Sequence, residues 1–308
     1  MHRISVPYID QPAPFWRSAI ARFGEHLDEV YFPLPRSIFG SGRWLQPANH
    51  VLEFLEIDEL PKTVLLNAPA FDLPLGETMD RVFPILDGLR ARFLIKGAVV
   101  RDIDLMRETR RAFAGLEICA STLMEIAEPA QVESIRGWAD VLVPASWIVR
   151  DHRRLSALRR VFAGRIKILV NEGCLVRCPW REAHFKAMNL GIAARPLCAE
   201  CVEEEPWRRL TGAWILPQHL DLLQGLFDVV KVSGRGTLLD PARWMGVVEA
   251  YFRGEGWDVH EIGMSTAGPR EPIPITREFY ESTLHCRKNC DSCTVCRDYY
   301  ARSAPSRH

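Results

Sequence analysis

Eight short apolar runs recur along the chain, most of them followed by a stretch with helical periodicity. This alternation limits the fold more than any other feature. The runs are Ser5–Tyr8, Glu29–Pro33, Thr63–Asn67, Ala98–Arg101, Leu116–Ala120, Asp140–Pro144, Lys167–Asn171 and Asp228–Val232. They are brief and largely apolar throughout, as strands covered on both faces must be. Helices are expected over Phe15–His26, Glu77–Leu89, Asp104–Phe113, Pro129–Trp138, Asp151–Phe162 and Pro241–Phe252. Aspartate or proline near several of these starts supplies N-terminal capping chemistry. Strands that alternate with helices build a parallel sheet, and eight repeats predict an α/β fold of the (β/α)8 TIM-like barrel type. An open doubly wound sheet is the competing arrangement. The barrel is assigned to residues 1–255. A cysteine-rich, irregular C-terminal extension is assigned to 256–308, where Gly- and Pro-rich segments replace the alternation.

The charges balance, with 39 basic and 39 acidic residues, so there is no global basic field for wrapping nucleic acid. RNA is accordingly a less favoured partner than a small organic substrate. The basic runs Arg150–Arg154 and Arg159–Arg160 fall on an expected helix away from the strand ends and read as a solvated face. No stretch approaches the roughly 18 apolar residues of a membrane span. The first residues lack a secretory leader pattern, and a cytoplasmic location is expected. Neither GxGxxG nor GxxxxGKS/T occurs, which argues against dinucleotide and nucleoside triphosphate binding.

Eight of the nine cysteines fall into two compact sets. Cys174 and Cys178 are followed by Cys198 and Cys201. Near the C-terminus stand Cys286, Cys290, Cys293 and Cys296. Four sulfur donors gathered by short loops suit a soft metal, either tetrahedral zinc or an iron–sulfur cube. Disulfides are the weaker reading for a large chain without a secretory leader. The looser first set favours a 4Fe-4S cluster. The terminal set, with its CxxCxxC core, admits a second cluster or zinc. Cys119, the ninth, lies in an apolar run and reads as a buried small hydrophobe.

Barrel chemistry collects where strands end. Asn171 and Glu172 lie at such an end, immediately before Cys174. Arg181 and His184 follow Cys178 at helical spacing and could face an anionic substrate beside the cluster, or simply solvent. Lys231 and Arg235, at the end of another strand, suit a carboxylate or phosphate, or else a local salt bridge. Trp180, Trp207 and Trp214 could stack on a ring, although core packing is the commoner fate of tryptophan.

The stretch Lys167-Ile-Leu-Val-Asn-Glu-Gly-Cys-Leu-Val-Arg-Cys-Pro179, with the later Lys231-Val-Ser-Gly-Arg235, resembles the collagenase-like peptidase family U-thirty-two. The similarity covers about residues 1–255. It implies a barrel and, in the better understood branches, a 4Fe-4S cluster, here held by Cys174, Cys178, Cys198 and Cys201. Those branches include UbiU/UbiV-like paired subunits of oxygen-independent ubiquinone synthesis and proteins that hydroxylate RNA bases. The implied activity is an oxygen-independent hydroxylation or related redox step on a quinone-precursor or nucleobase type of substrate. It would be served by an electron donor such as a ferredoxin. The resemblance also implies two alternatives: a non-catalytic subunit that works with a homologous partner, and a zinc-stabilised hydrolase or peptidase. Two departures are plain. Cys174-x3-Cys178 is tighter than the family spacing, and the terminal cysteine set lies outside the common core. Neither HExxH nor a serine elbow occurs.

Overall fold

All eight apolar runs form strands, and the strands close on themselves. β1 (Ile4–Pro7), β2 (Leu27–Pro33), β3 (Lys62–Leu66), β4 (Ile95–Val100), β5 (Glu117–Ala120), β6 (Val141–Leu142), β7 (Arg165–Leu169) and β8 (Val229–Lys231) pair in chain order. Every pairing is parallel, and β8 returns to β1 through Ile4 opposite Val230. The computed structural model describes all residues except 36–37, 39–47, 68–72, 177, 190–197, 213, 235–237, 257–272 and 304–308. The closed barrel replaces the open doubly wound alternative.

The expected helices form as α1 (Ala13–Phe23), α3 (Leu75–Arg92), α4 (Ile103–Ala112), α5 (Pro129–Val132), α6 (His152–Val161) and α9 (Pro241–Arg253). Caps set several of their starts. Asp102 accepts from the N–H groups of Asp104 and Leu105, Asp151 from Arg154, and Asp240 from Arg243. Sequence periodicity did not announce α2 (Val51–Leu55), α7 (Arg181–Asn189), α8 (Cys198–Glu204), α10 (Arg277–Thr283) or α11 (Val295–Ser303). Gly97 on β4 is required by close approach. A Cβ there would sit 2.5 Å from the Glu117 carbonyl oxygen of β5.

Strand alternation divides the side chains between two cores. Outward residues pack under the helices, with Trp16, Trp214 and Trp244 fully buried. Inward residues fill the barrel in layers, as in other closed barrels of this size. One layer is apolar: Tyr31, Leu65, Val99, Cys119, Val141, Val143 and Leu169. Beneath it lies an ionic layer. Glu29 accepts from Ser5 Oγ at 2.7 Å and Thr63 Oγ1 at 2.6 Å, and pairs with Lys167 Nζ at 2.8 Å. Lys167 also pairs with Asp28 at 2.9 Å, and Lys96 and Arg165 complete the cover of Asp28. Burial alone would push the Glu29 carboxyl up. Lys167 and Lys231 more than offset it and hold the group at about 2.

The described part of the C-terminal extension is an irregular chain that carries two short helices, and it shares the barrel's core. Thr276 caps α10 by accepting from the Phe279 N–H at 3.3 Å. Phe279 and Tyr280 then insert into the main core. The Tyr280 ring meets Trp214 edge-on at 5.8 Å, and its hydroxyl accepts from the Leu216 N–H at 2.9 Å.

Candidate functional site at the barrel mouth

β7 continues through Val170 into Asn171 and Glu172. The Asn171 carboxamide clasps the backbone of Ser233: Oδ1 accepts from its N–H at 2.6 Å and Nδ2 donates to its carbonyl at 3.0 Å. Asn171 therefore ties the ends of β7 and β8 together. Glu172 is buried and pairs with Arg181 Nη1 at 2.9 Å. Arg181 Nε lies 2.8 Å from Glu125 Oε1, and Trp147 Nε1 donates to Glu125 Oε2 at 2.9 Å. Arg181 thus sits between two carboxylates from different βα loops. Burial raises both carboxyls and Arg181 lowers both. The balance leaves Glu125 above its ordinary value and Glu172 below it. Glu125 holds a left-handed backbone, φ 53°, which is uncommon for a residue with a Cβ and occurs often at functional sites.

Beside this group opens a cavity of about 390 Å³. It is lined by Arg101, Leu123, Glu125, Trp147, Leu175, Cys178, Pro179, Arg181, Glu182 and Phe185. These residues belong to the loops and helices that follow β4, β5, β6 and β7, so the cavity lies at the C-terminal mouth of the barrel. Arg181 Nη2 is buried there without a hydrogen-bond partner. The lining carries two arginines and two carboxylates, with Arg101 paired to Glu182 at 3.4 Å, so Arg181 Nη2 is the group there that could meet an anion, beside the Trp147 and Phe185 rings.

The described residues of 174–178 are not helical, and the Cys178 N–H donates to the Leu175 carbonyl at 3.2 Å. α7 begins three residues later. Cys178 accepts from the Cys198 thiol and from the backbone N–H groups of Trp180 and Arg181. These donors bring its thiol down to about 6. Cys174 is pushed well up by burial and by Glu172. Cys198 feels both Cys174 and Cys178, and Cys201 follows it by one turn of α8. Three of the four sulfurs are thus in mutual electrostatic reach, with the fourth on the same helix face. Among the described residues, no three His, Cys, Asp or Glu side chains converge on one point as ligands of a single ion. An all-sulfur donor set with N–H groups aimed at one sulfur fits a soft-metal cluster.

The other expected site residues fall elsewhere. His184 is half-buried on α7 and does not line the cavity. Lys231 turns into the barrel. It lies 3.8 Å from Glu29, 3.4 Å from Ser5 Oγ, and over the Tyr31 ring at 3.6 Å, because its strand position faces inward. Arg235 lies outside the described residues. Cys286, Cys290, Cys293 and Cys296 line a separate cavity of about 370 Å³. Trp214 is core, Trp207 borders that second cavity, and Trp180 is half-buried. Arg150, read as part of a solvated face, is buried, whereas Arg154 pairs with Asp151 and Glu128. Arg101, Glu125 and Trp147 carried no motif. Their position just past β4, β5 and β6 was the available signal.

No protein-family model matches the sequence. An uncharacterized protease of Methanocaldococcus jannaschii is 28% identical over 173 residues, covering 50% of each chain. The U32 peptidase Mk0906 superposes with a TM-score of 0.53 at 18% identity, over 76% of this chain and 94% of that one. The chain spans about half the length of the curated protease it matches, and the structural likeness to Mk0906 is one of fold. A tryptophan synthase α-subunit from Pyrococcus furiosus aligns at 12% identity with a TM-score of 0.40. Among the described residues, no helix is long and apolar enough to cross a membrane.

Proposed function

We propose that this chain is a distant relative of the U32 peptidases and an iron–sulfur enzyme that carries out an oxygen-independent hydroxylation or related redox step on a small anionic, ring-bearing molecule. Cys174, Cys178, Cys198 and Cys201 would hold a 4Fe-4S cluster beside the mouth cavity. The observation that carries this reading is the contact between Cys178 and Cys198, which come from segments on either side of α7. Cys178 also lines the cavity that presents Arg101, Arg181 and Trp147. When bound, the cluster would supply electron transfer. The chain's own groups would do the rest. Arg181 would bind the anionic group through its unpartnered Nη2, Trp147 and Phe185 would sandwich the ring, and Glu125 would exchange a proton with the substrate. With water as the oxygen source the step is a two-electron oxidation, R–H + H2O → R–OH + 2 H+ + 2 e−, and an external redox carrier of the ferredoxin class would take up the electrons.

The test is the iron, sulfide and zinc content of protein purified without air, together with its visible spectrum. Iron and inorganic sulfide in equal amounts, falling by about four of each per chain when Cys178 and Cys198 are changed to serine, are expected. Zinc alone, with no visible band, would reject the reading.

One observation favours a second reading as a zinc-stabilised hydrolase. Glu125 and Glu172 share one arginine while their proton affinities are pushed apart, as a general acid and base require. Air-stable hydrolysis that responds to Glu125→Gln would support it.

A further inference from the structure

The four C-terminal cysteines surround one cavity, and the charges beside that cavity are unbalanced. Arg150 is only 3% exposed, and Lys288 only 8%. The Arg150 guanidinium lies 5.0 Å from the Trp214 ring centre and 5.7 Å from that of Tyr280. Its Nη2 donates to the Leu210 carbonyl at 2.6 Å, while Nη1 is buried without a partner. No carboxylate among the described residues pairs with either cation. Asp151, the nearest acid in sequence to Arg150, is engaged by Arg154 at 2.8 Å. Both cations are within electrostatic reach of the cysteine set. The buried Arg150 guanidinium, with Nη1 unpartnered, would be costly beside four neutral thiols.

We infer that Cys286, Cys290, Cys293 and Cys296 bind a second 4Fe-4S cluster, separate from the barrel mouth, whose net negative charge is neutralised by Arg150 and Lys288. Four thiolates around a dicationic cube leave a dianion, which the two cations match. Loading releases the four thiol protons to solvent. The local backbone is set for such a centre. Lys288 adopts a left-handed φ of 60°, and its N–H donates to Cys286 Sγ at 3.3 Å. Hydrogen bonds of this kind to ligand sulfurs tune iron–sulfur centres. All four cysteines line one space of about 370 Å³, an all-thiol set of the kind that soft-metal centres use. Trp207 borders the same cavity, and Arg297 stacks on Trp207 while pairing with Glu205 at 3.1 Å. The centre would therefore fasten α11 to the segment that follows α8.

This inference stands apart from the reading of the mouth, and one experiment separates them. The full chain is prepared without air in three forms: wild type, a form with Cys174, Cys178, Cys198 and Cys201 changed to serine, and a form with the terminal four changed. The mouth-substituted form is expected to keep about four irons and four sulfides per chain, as one cube requires. Zinc, or no metal, in that form overturns the inference whatever the mouth set binds. Should a four-serine form fail to fold, native mass spectrometry of single changes gives the second readout: Cys293→Ser is expected to remove the mass of one cube that Cys178→Ser leaves in place, and a Cys293→Ser form that loses no cube overturns the inference. Arg150→Met is expected to make the retained cluster harder to reduce, while Arg150→Lys restores its midpoint potential. A potential unmoved by either change would remove Arg150 from the account.

Discussion

The ionic layer inside the barrel and the arginine–carboxylate group at its mouth use the same chemistry to opposite ends. Inside, Glu29 and Lys167 are fully enclosed. Glu29 is met by two hydroxyls and two ammonium groups, leaving no room for anything else. At the mouth, Arg181 joins Glu125 and Glu172 but keeps an unpartnered nitrogen beside an open cavity. In the first arrangement the charges of Asp28, Glu29 and Lys167 are enclosed and ion-paired, and it holds the strands. The second is incomplete and can receive a ligand. Complete pairing, more than the presence of charge, distinguishes structural polar groups from functional ones here.

The sharpest way to break the comparison is Lys167→Met. It leaves Glu29 and Asp28 buried without their shared partner and should cost about 3–5 kcal/mol in denaturant unfolding, or abolish folding. A loss under about 1 kcal/mol would mean that the interior is not paired as described. Arg181→Met should behave differently. Glu125 lines the cavity and can reach water, whereas the buried Glu172 loses its cation, so a smaller stability loss of about 1–3 kcal/mol is expected and the fold survives. Binding of a small aromatic carboxylate such as benzoate, followed by calorimetry, should weaken roughly tenfold to a hundredfold, the worth of one charged hydrogen bond. Unchanged binding would leave the cavity without its anchor.

Acid should reach the interior through Glu29. Its carboxyl is held below its ordinary value in the fold. Its contribution is therefore complete above that value of 4.5 and is lost as the pH falls toward about 2. The urea midpoint should drop across this window, and Glu29→Gln should flatten the drop. In metal-free protein the two regions should also differ in thiol reactivity. Cys178 should be alkylated by iodoacetamide well before Cys119, whose thiol burial pushes up to about 12. Mass spectrometry of early time points reads the order, and simultaneous labelling would contradict it.

Much of the barrel was legible because strands buried on both faces leave continuous apolar runs, and all eight could be located. The ionic interior was not. Glu29 and Lys167 stand in those runs as isolated charges, and pairing across β2 and β7 exists only once the barrel closes. Lys231 sat within an expected strand, but whether a long side chain at a strand end reaches the rim or folds inward depends on what fills the barrel. Here Glu29 draws it in. At the mouth, Asn171, Glu172 and Arg181 were legible from their position between a strand end and a cysteine pair. Glu125 was not, since its role depends on a left-handed turn and on Arg181 arriving from α7. The helices of the extension were hidden because Phe279 and Tyr280 are aromatic residues in a polar setting. Their seat under Trp214 is built by residues far away in the chain.

That seat bears on how the protein is made. Tyr280 completes a core whose other walls are laid down much earlier in translation. Until the tail clears the ribosome, the nascent barrel carries a gap beside Trp214, an apolar surface that a chaperone would recognise. A stop codon placed just before α10 would then yield a chain that persists as a client and is degraded as one, even though every strand of the barrel has been synthesised.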